Sequence, residues 1–467
     1  MSSCIVWFRH DLRLADNPAL VAAVQSGLPI VPVYILDEST PGLRGPGAAS
    51  RWWLHHALAA LDADLRALGS RLVLQRGPAE TVLPDLVARC GATAVHWNRL
   101  YEIVARERDA RIKQALTGQG ISVTSHKANL LFEPWEVKTG AGDPFKVFTP
   151  FWRACRQLPP PEPPLPRPDR LAPPPAGLPG DDLDSWRLLP RRPDWAGGLR
   201  DNWTPGEAGA HQRLAAFVDE ALPRYRDERD LPARASTSRL SPYLAFGEIS
   251  PRQVWHAATT REPSAATEKF LAEVGWREFC NNLIFHFGNL AERNFRADFD
   301  AFPWAAEDAK VEAWRRGRTG YPIVDAGMRE LWATGWMHNR VRMITASFLT
   351  KDLMVDWRIG ERWFWDTLVD ADAANNPAGW QWVSGSGADA QPYFRIFNPV
   401  LQGEKFDPDG AYVRHWVPEV AKLPNSTIHR PWTDRARVAS GYPEPVVDHA
   451  QARDRALAAF RSLKQEP

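Results

Sequence analysis

Residues 4–18 read CIVWFRHDLRLADNP, and the fold turns on the pairing of their first five residues with the ten after them. CIVWF (4–8) is an unbroken apolar run of strand length, too short for a helix of its own. Four more such runs lie downstream: IVPVYIL (30–36), RLVLQ (71–75), AVHWN (94–98) and ISVTSH (121–126). Helical stretches at 18–25, 50–69, 79–90 and 105–116 separate them. This alternation predicts a doubly wound parallel sheet, whose ligands bind beyond the carboxyl ends of the strands. A dinucleotide fold would place GxGxxG directly after the first strand. RHDLRLADNP (9–18) stands there instead, so the standard pyrophosphate fingerprint is absent.

Beyond the sheet the pattern changes twice. Thirteen of the 41 prolines fall between Pro159 and Pro193. Proline removes backbone donors and blocks helix, so 158–195 reads as an extended, polyproline-like crossing. From about residue 205 strand signals nearly vanish, and helices are predicted over 206–221, 251–259, 265–285, 307–316, 324–349 and 360–368. The expected organisation is an α/β domain over 1–130, a connector over 131–204 and an all-α domain over 205–467, its ligand held between helices. No internal repeat is visible.

Composition narrows the function classes. The formal net charge is +1. Residues 201–467 hold 33 Lys/Arg against 36 Asp/Glu, so a nucleic-acid site has to be a local patch. Cys4, Cys90, Cys155 and Cys280 form no CxxC pair, which argues against a structural zinc site or a disulfide scaffold. The N-terminus lacks an apolar signal core, and no apolar run is long enough to span a membrane. A cytoplasmic protein with no membrane partner is expected. Of the 22 tryptophans, 14 lie after residue 200, more than packing alone asks for.

Four stretches carry candidate chemistry. GWMHNRVRM (335–343) sits in a predicted helix from Gly335 to about Trp357, with Met337, Val341, Ile344 and Phe348 as its buried stripe. Asn339 and Met343 share another face, beside Arg340 and Arg342. In ARASTSRLSPYLAFGEIS (233–250), Thr237, Ser238 and Ser241 surround Arg239 before an apolar helix. That suits a phosphate, although an ordinary N-cap has the same composition. In FLAEVGWREFCNN (270–282), Glu273, Trp276 and Arg277 share a helix face. They suit stacking on a base and bonding to its edge, or equally a Glu273–Arg277 ion pair beside a core indole. In residues 366–399, Asp370 and Asp372 have no histidine nearby, so no metal site is expected. They call for a cation, and Arg342 is the natural candidate. Asn375 and Asn376 are expected in a turn shaped by Pro377 and Gly379, and Gly385, Gly387 and QPYFRIFNP (391–399) in a tight non-helical turn.

Together with WFRHDLRLADNPAL, WRRGRTGYPIVDAGMRELWATGWMHNRVRMITASFLTKDLMVDW and GWQWVSGSGADAQPYFRIFNPVLQGEKFD, these segments resemble the photolyase/cryptochrome flavoprotein family over nearly the whole chain. Within it the chain looks most like DNA photolyases that split cyclobutane pyrimidine dimers. The resemblance implies an α/β antenna domain, an interdomain crossing and a helical domain holding FAD. It implies that Tyr225, Thr237, Ser238, Arg239, Leu240 and Ser241 hold the FAD phosphates and ribose. Asp370 and Asp372 would face the flavin, Arg342 would pair with Asp370, and Asn376 would face flavin N5. An Asp at that last place is typical of plant photoreceptors, so Asn376 favours the enzyme over a cryptochrome-type blue-light sensor. So does a chain that ends at 448–467 without a long tail.

The same resemblance places Glu273, Trp276, Asn339, Met343 and Trp382 around a flipped-out dimer in UV-damaged DNA. Enzymes that repair (6-4) photoproducts carry histidine at both the Asn339 and the Met343 positions. Trp380, Trp357 and Trp304 match the family's electron-transfer chain. Arg229, Arg277, Arg340, Arg395, Gln402 and Lys405 are expected at the DNA phosphates or the rim of the site. A folate antenna in the family's manner needs a glutamate where this chain has Ala105. It also needs a Cys-Lys pair where NLAERNF stands. A deazaflavin, FMN, or a folate held in another way therefore stays open as second chromophore. A monomer is expected.

Overall fold

The computed structural model describes residues 2–305, 308–390, 394–434, 438 and 441–463. They form two compact units, one of Met1–Pro223 with Ser238–Gly288, the other of Arg224–Thr237 with Asn289–Pro467.

In the first unit the apolar runs become five parallel strands, β1 Ser3–Phe8, β2 Ile30–Leu36, β3 Val73–Arg76, β4 Ala92–Asn98 and β5 Ser122–His126, in the order β3-β2-β1-β4-β5. The crossovers are helices α1 Pro18–Gln25, α2 Ala48–Ala67, α3 Ala79–Cys90 and α4 Ile103–Gly118. This is the doubly wound sheet read from the sequence. β1 is central and buried along its whole length, as an apolar run covered on both faces must be. Beyond its end, charges of the chain itself close on one another. Arg9 pairs with Asp109, and Arg108 pairs with Asp109 at 2.9 Å and Asp37 at 3.3 Å.

The Pro-rich crossing lies along the sheet edge. Asp181 N–H donates to Leu74 O on the outermost strand at 2.8 Å, which blunts an otherwise open edge. Segments after residue 205 belong to the same unit as the sheet and bond to the loop that follows β1. Arg13 is fully buried, and its guanidinium donates to Gly247 O at 2.8 Å. Glu207 accepts from Leu14 and Ala15 N–H at 2.8 and 2.9 Å. A buried guanidinium and carboxylate must both be satisfied, and here the partners come from both sides of residue 205. The compact units therefore do not divide at 130 and 204.

Apart from one isolated bridge, Ala305 with Val355, the described residues of the second unit are helical or irregular. Met337, Val341, Ile344 and Phe348 are all buried, as their spacing predicts. The single helix expected from Gly335 to Trp357 is, however, three elements. Gly335, at φ 68°, closes the preceding helix Pro322–Thr334. His338 caps a new helix, Asn339–Ser347, which runs on as a π turn over Phe348–Asp352. Asp356 then caps Trp357–Thr367. Left-handed glycine ends a helix without strain, and apolar residues continue across the break because both helices contribute to one core.

Candidate functional site

Arg342 and Asp370, 28 residues apart, form an ion pair at 2.8 Å. The guanidinium Nε also donates to Met337 O at 2.7 Å, which fixes its plane. Asp370 is buried, and its second oxygen, Oδ1, has no partner within the described protein. A buried carboxylate oxygen in that state asks for a donor.

Two residues on, Asp372 turns back on its own chain. Its Oδ1 accepts from Ala374 N–H (2.8 Å), Asn375 N–H (2.6 Å) and the Asn375 amide (2.9 Å). Asn375 and Asn376 therefore do not sit in a turn. They open the helix Asn375–Ser384, with Pro377 in its first turn, where a missing N–H costs nothing. The helix ends at Gly385 (φ 94°), so the expected turn begins there; its stretch 391–393 lies outside the described residues. Asn376 Nδ2 donates to the buried Glu361 carboxylate at 2.8 Å and to Glu361 O at 3.2 Å. That commits the amide's NH2 side and leaves the carbonyl side facing away. Glu361 was not legible in the sequence: it lies 15 residues away, with no motif of its own.

The segment around Arg239 is not an ordinary N-cap. The helix it precedes, Ser241–Ala245, has Leu240 at its cap position and no side-chain cap bond. Arg239 adopts φ 51° and lies over the Trp203 ring at 4.6 Å. Ser238 Oγ accepts from Leu240 N–H at 3.4 Å, and Leu240 itself is buried. Thr237 and Tyr225 belong to the second unit, and Arg229 lies over the Tyr225 ring at 5.4 Å.

On helix Ala265–Phe287, Glu273 pairs with Lys269 at 3.2 Å and not with Arg277. Arg277 turns inward, donating to Asn129 O at 2.8 Å and to Glu278 at 3.3 Å. It serves the first unit's interior, not the rim expected of it. Trp276 is half-buried. In the second unit Asn339 is exposed and Met343 and Trp382 are half-buried. Arg340 pairs with Asp230 at 2.9 Å and covers Phe406 at 4.3 Å, while Arg229 approaches Asp230 at 3.7 Å. Both cations are thus partly neutralised by a carboxylate that no sequence motif marks. Arg395 and Lys405 are exposed, and Gln402 keeps a buried Oε1 without a partner.

The three chain tryptophans differ in burial. Trp380 meets Phe364 edge-on at 4.9 Å. Trp357 is fully buried, and its indole N–H donates to Asn294 Oδ1 at 2.8 Å. Trp304 is only partly buried and lies 4.3 Å from the Phe302 ring.

The family model described as the FAD binding domain of DNA photolyase matches residues 270–462, and the DNA photolyase model matches residues 4–169. A deoxyribodipyrimidine photo-lyase of Agrobacterium fabrum is 52% identical, over 99% of this chain and 98% of its own. This chain belongs to the DNA photolyase family. Cryptochrome-1 of Arabidopsis thaliana is 41% identical, over 99% of this chain and 70% of its own. A bacterial class III photolyase from Agrobacterium tumefaciens superposes with a TM-score of 0.96 at 52% identity, covering 100% of this chain and 98% of that one. An archaeal photolyase from Sulfolobus tokodaii, solved with two FAD molecules, gives 0.85 at 31% identity, covering 98% and 100%.

The residues of this photolyase-family chain fit FAD. The unpartnered oxygen of Asp370 suits a flavin N–H donor, and the Arg342 ion pair fixes the other oxygen of the carboxylate. Ala105 is fully buried in the first turn of α4 and presents no carboxylate there.

His338 also bears on the helix that carries Asn339. Its Nδ1 accepts from Arg340 N–H at 3.2 Å, and its backbone N–H donates to Glu330, which also takes the Tyr412 hydroxyl. Burial, before any charge, pushes the imidazole down to about 4. The folded state thus favours neutral His338. Its contribution is present above the ordinary value of 6.5 and is lost as pH falls through about 4, up to roughly 3 kcal/mol. Melting followed from pH 7 to 4 should show this loss. His338→Asn, which keeps a cap acceptor, should flatten that part of the profile; an unchanged profile would take His338 out of the pH response.

Proposed function

We propose that this chain repairs cyclobutane pyrimidine dimers in DNA under light, with reduced FAD as electron donor. The face of helix Asn339–Ser347 carries the choice of lesion. Asn339 is exposed at its start, Met343 stands one turn later, and neither is an acid or a base. His338, the histidine of this stretch, is turned inward as a cap and buried. Opening a cyclobutane ring needs an electron out and back with no net proton transfer, so a face without a proton donor suits it.

Reduced FAD, when bound and excited, supplies that electron and recovers it. The chain's own residues do the rest. Damaged bases stack poorly, so extruding them costs less than extruding normal ones. Trp276 and Trp382 offer indole faces for the extruded dimer. Glu273 bonds the imide edge of a pyrimidine on this reading. Arg340, Arg395, Gln402 and Lys405 reach phosphates, which makes affinity fall with salt. Arg342 and Glu361 act through Asp370 and Asn376, holding the carboxylate and the amide in the orientations a flavin ring requires.

The test uses chemically reduced protein and an oligonucleotide with one thymine cyclobutane dimer, in blue or near-ultraviolet light and in the dark. Absorbance at the thymine band should recover in light only. No recovery with reduced FAD bound would move the protein to the light-sensing reading, which its likeness to Cryptochrome-1 supports. Glu273→Ala should lower repair at least about tenfold, as loss of a hydrogen bond realised at the reacting centre does, with FAD retained. Unchanged repair would remove Glu273 from the site.

A further inference from the structure

The short helix Phe148–Cys155, α5, grips helix Ala265–Phe287 at three points within the first unit. Phe148, Phe151 and Trp152 are spaced i, i+3, i+4 and share one face. Phe151 meets Phe279 at 5.2 Å. Trp152 lies flat against Gly275, where any Cβ would meet the indole at 2.5 Å, so only glycine allows this approach. Phe148 stacks on Trp276, ring centroids 3.9 Å apart and planes within 10°. Phe148 and Trp152 are also parallel within 10°, at 6.3 Å. Trp276 is closed on a further side by Phe279, edge-on at 5.8 Å.

A face-to-face partner at this distance takes one face of the indole. Anything that stacks on Trp276 from outside has to use the other. An isolated tryptophan on a helix surface keeps rotamer freedom that stacking on a base would remove. Here the neighbouring rings have removed it beforehand, and Phe148 is itself buried and held.

We propose that Phe148 is a positioning residue for lesion recognition: it locks the Trp276 indole so that its remaining face is preset for stacking on an extruded pyrimidine dimer. The proposal rests on Trp276 being a stacking residue in the repair reaction. Its effect falls on binding of damaged DNA and leaves binding of undamaged DNA, which is held through phosphates, unchanged.

The experiment measures affinity for a dimer-containing oligonucleotide and its undamaged twin. It compares the wild-type FAD-loaded protein with Phe148→Leu, Trp276→Ala, the double variant and Phe148→Tyr. FAD content and melting are recorded for each. Phe148→Leu should weaken lesion binding about five- to tenfold, the range of a lost aromatic pair, with undamaged binding unchanged. Phe148→Tyr, which keeps a flat ring, should restore most of it. In the double variant the loss should equal that of Trp276→Ala alone, because Phe148 acts through that ring. Should the leucine variant not fold, Phe148→Met, whose unbranched side chain adapts to irregular gaps, is judged by the same numbers. If Trp276→Ala weakens lesion binding and Phe148→Leu does not, the positioning role is wrong and the stacking role of Trp276 stands. If Trp276→Ala itself changes nothing, the stacking reading fails and takes this proposal with it. Equal loss on both oligonucleotides would make Phe148 a packing residue only and overturn the proposal.

Discussion

Asp370→Ala should yield a protein that binds less than about a tenth of the wild-type FAD and melts several degrees lower. Asp370 is buried and Arg342 a quarter exposed, so water softens the loss for the surviving cation. Removing one partner of a buried pair costs roughly 3–5 kcal/mol, and the low end applies here. In a unit of this size each kcal/mol lowers the melting temperature by about 2–4 °C. The effect on FAD is separate, because Asp370 Oδ1, without a protein partner, is the atom offered to the ligand. Asp370→Asn distinguishes the two. It keeps an oxygen toward one side but no charge for Arg342, so some FAD should remain while the melting temperature still falls. Flavin absorbance after desalting, with calorimetry, reads both. Full FAD loading of the alanine variant would remove Asp370 from the flavin site.

Trp357→Phe should slow photoreduction of oxidised flavin by about a hundredfold or more, equivalent to roughly 3 kcal/mol of barrier. On the reading of Trp380, Trp357 and Trp304 as an electron path, Trp357 is the buried middle member and phenylalanine oxidises far less readily than indole. The change also strips Asn294 Oδ1 of its 2.8 Å donor, which costs about 1–2 kcal/mol of stability. Intact FAD content therefore has to be shown alongside. Protein reduced chemically in the dark should still repair a dimer at close to the wild-type rate, since repair then needs no electron from the surface. Photoreduction that survives the substitution would place the electron path elsewhere in the chain's tryptophans.

Much of the fold is legible before any coordinates. The five apolar runs are the five strands, and their alternation with helices gives the parallel order. The stripe Met337, Val341, Ile344 and Phe348 is core, and Arg342 pairs with Asp370 as charge and resemblance both imply. Element ends are less legible. Apolar spacing places Gly335 inside a helix, yet Gly335 terminates one, because apolar residues on both flanking helices enter the same core. Composition places Asn375 and Asn376 in a turn, yet they open a helix, because proline and asparagine favour turns and the first turn of a helix alike.

Residue identity and near-neighbour spacing fix the chemistry available to this chain. They give parallel strands from buried apolar runs, and an asparagine and a methionine one turn apart on a helix. The chain carries these properties wherever it goes. Arg342 with Asp370 aside, which charge answers which is settled only by packing. It gives Lys269 to Glu273, turns Arg277 inward to Asn129, sets Asp230 against Arg340, puts Glu361 behind Asn376 and lays Phe148 on Trp276. Most of these partners are separated by tens to over a hundred residues. A guanidinium takes the carboxylate or carbonyl that packing brings within reach, and a ring stacks on the ring beside it. Periodicity along a chain carries no record of that choice.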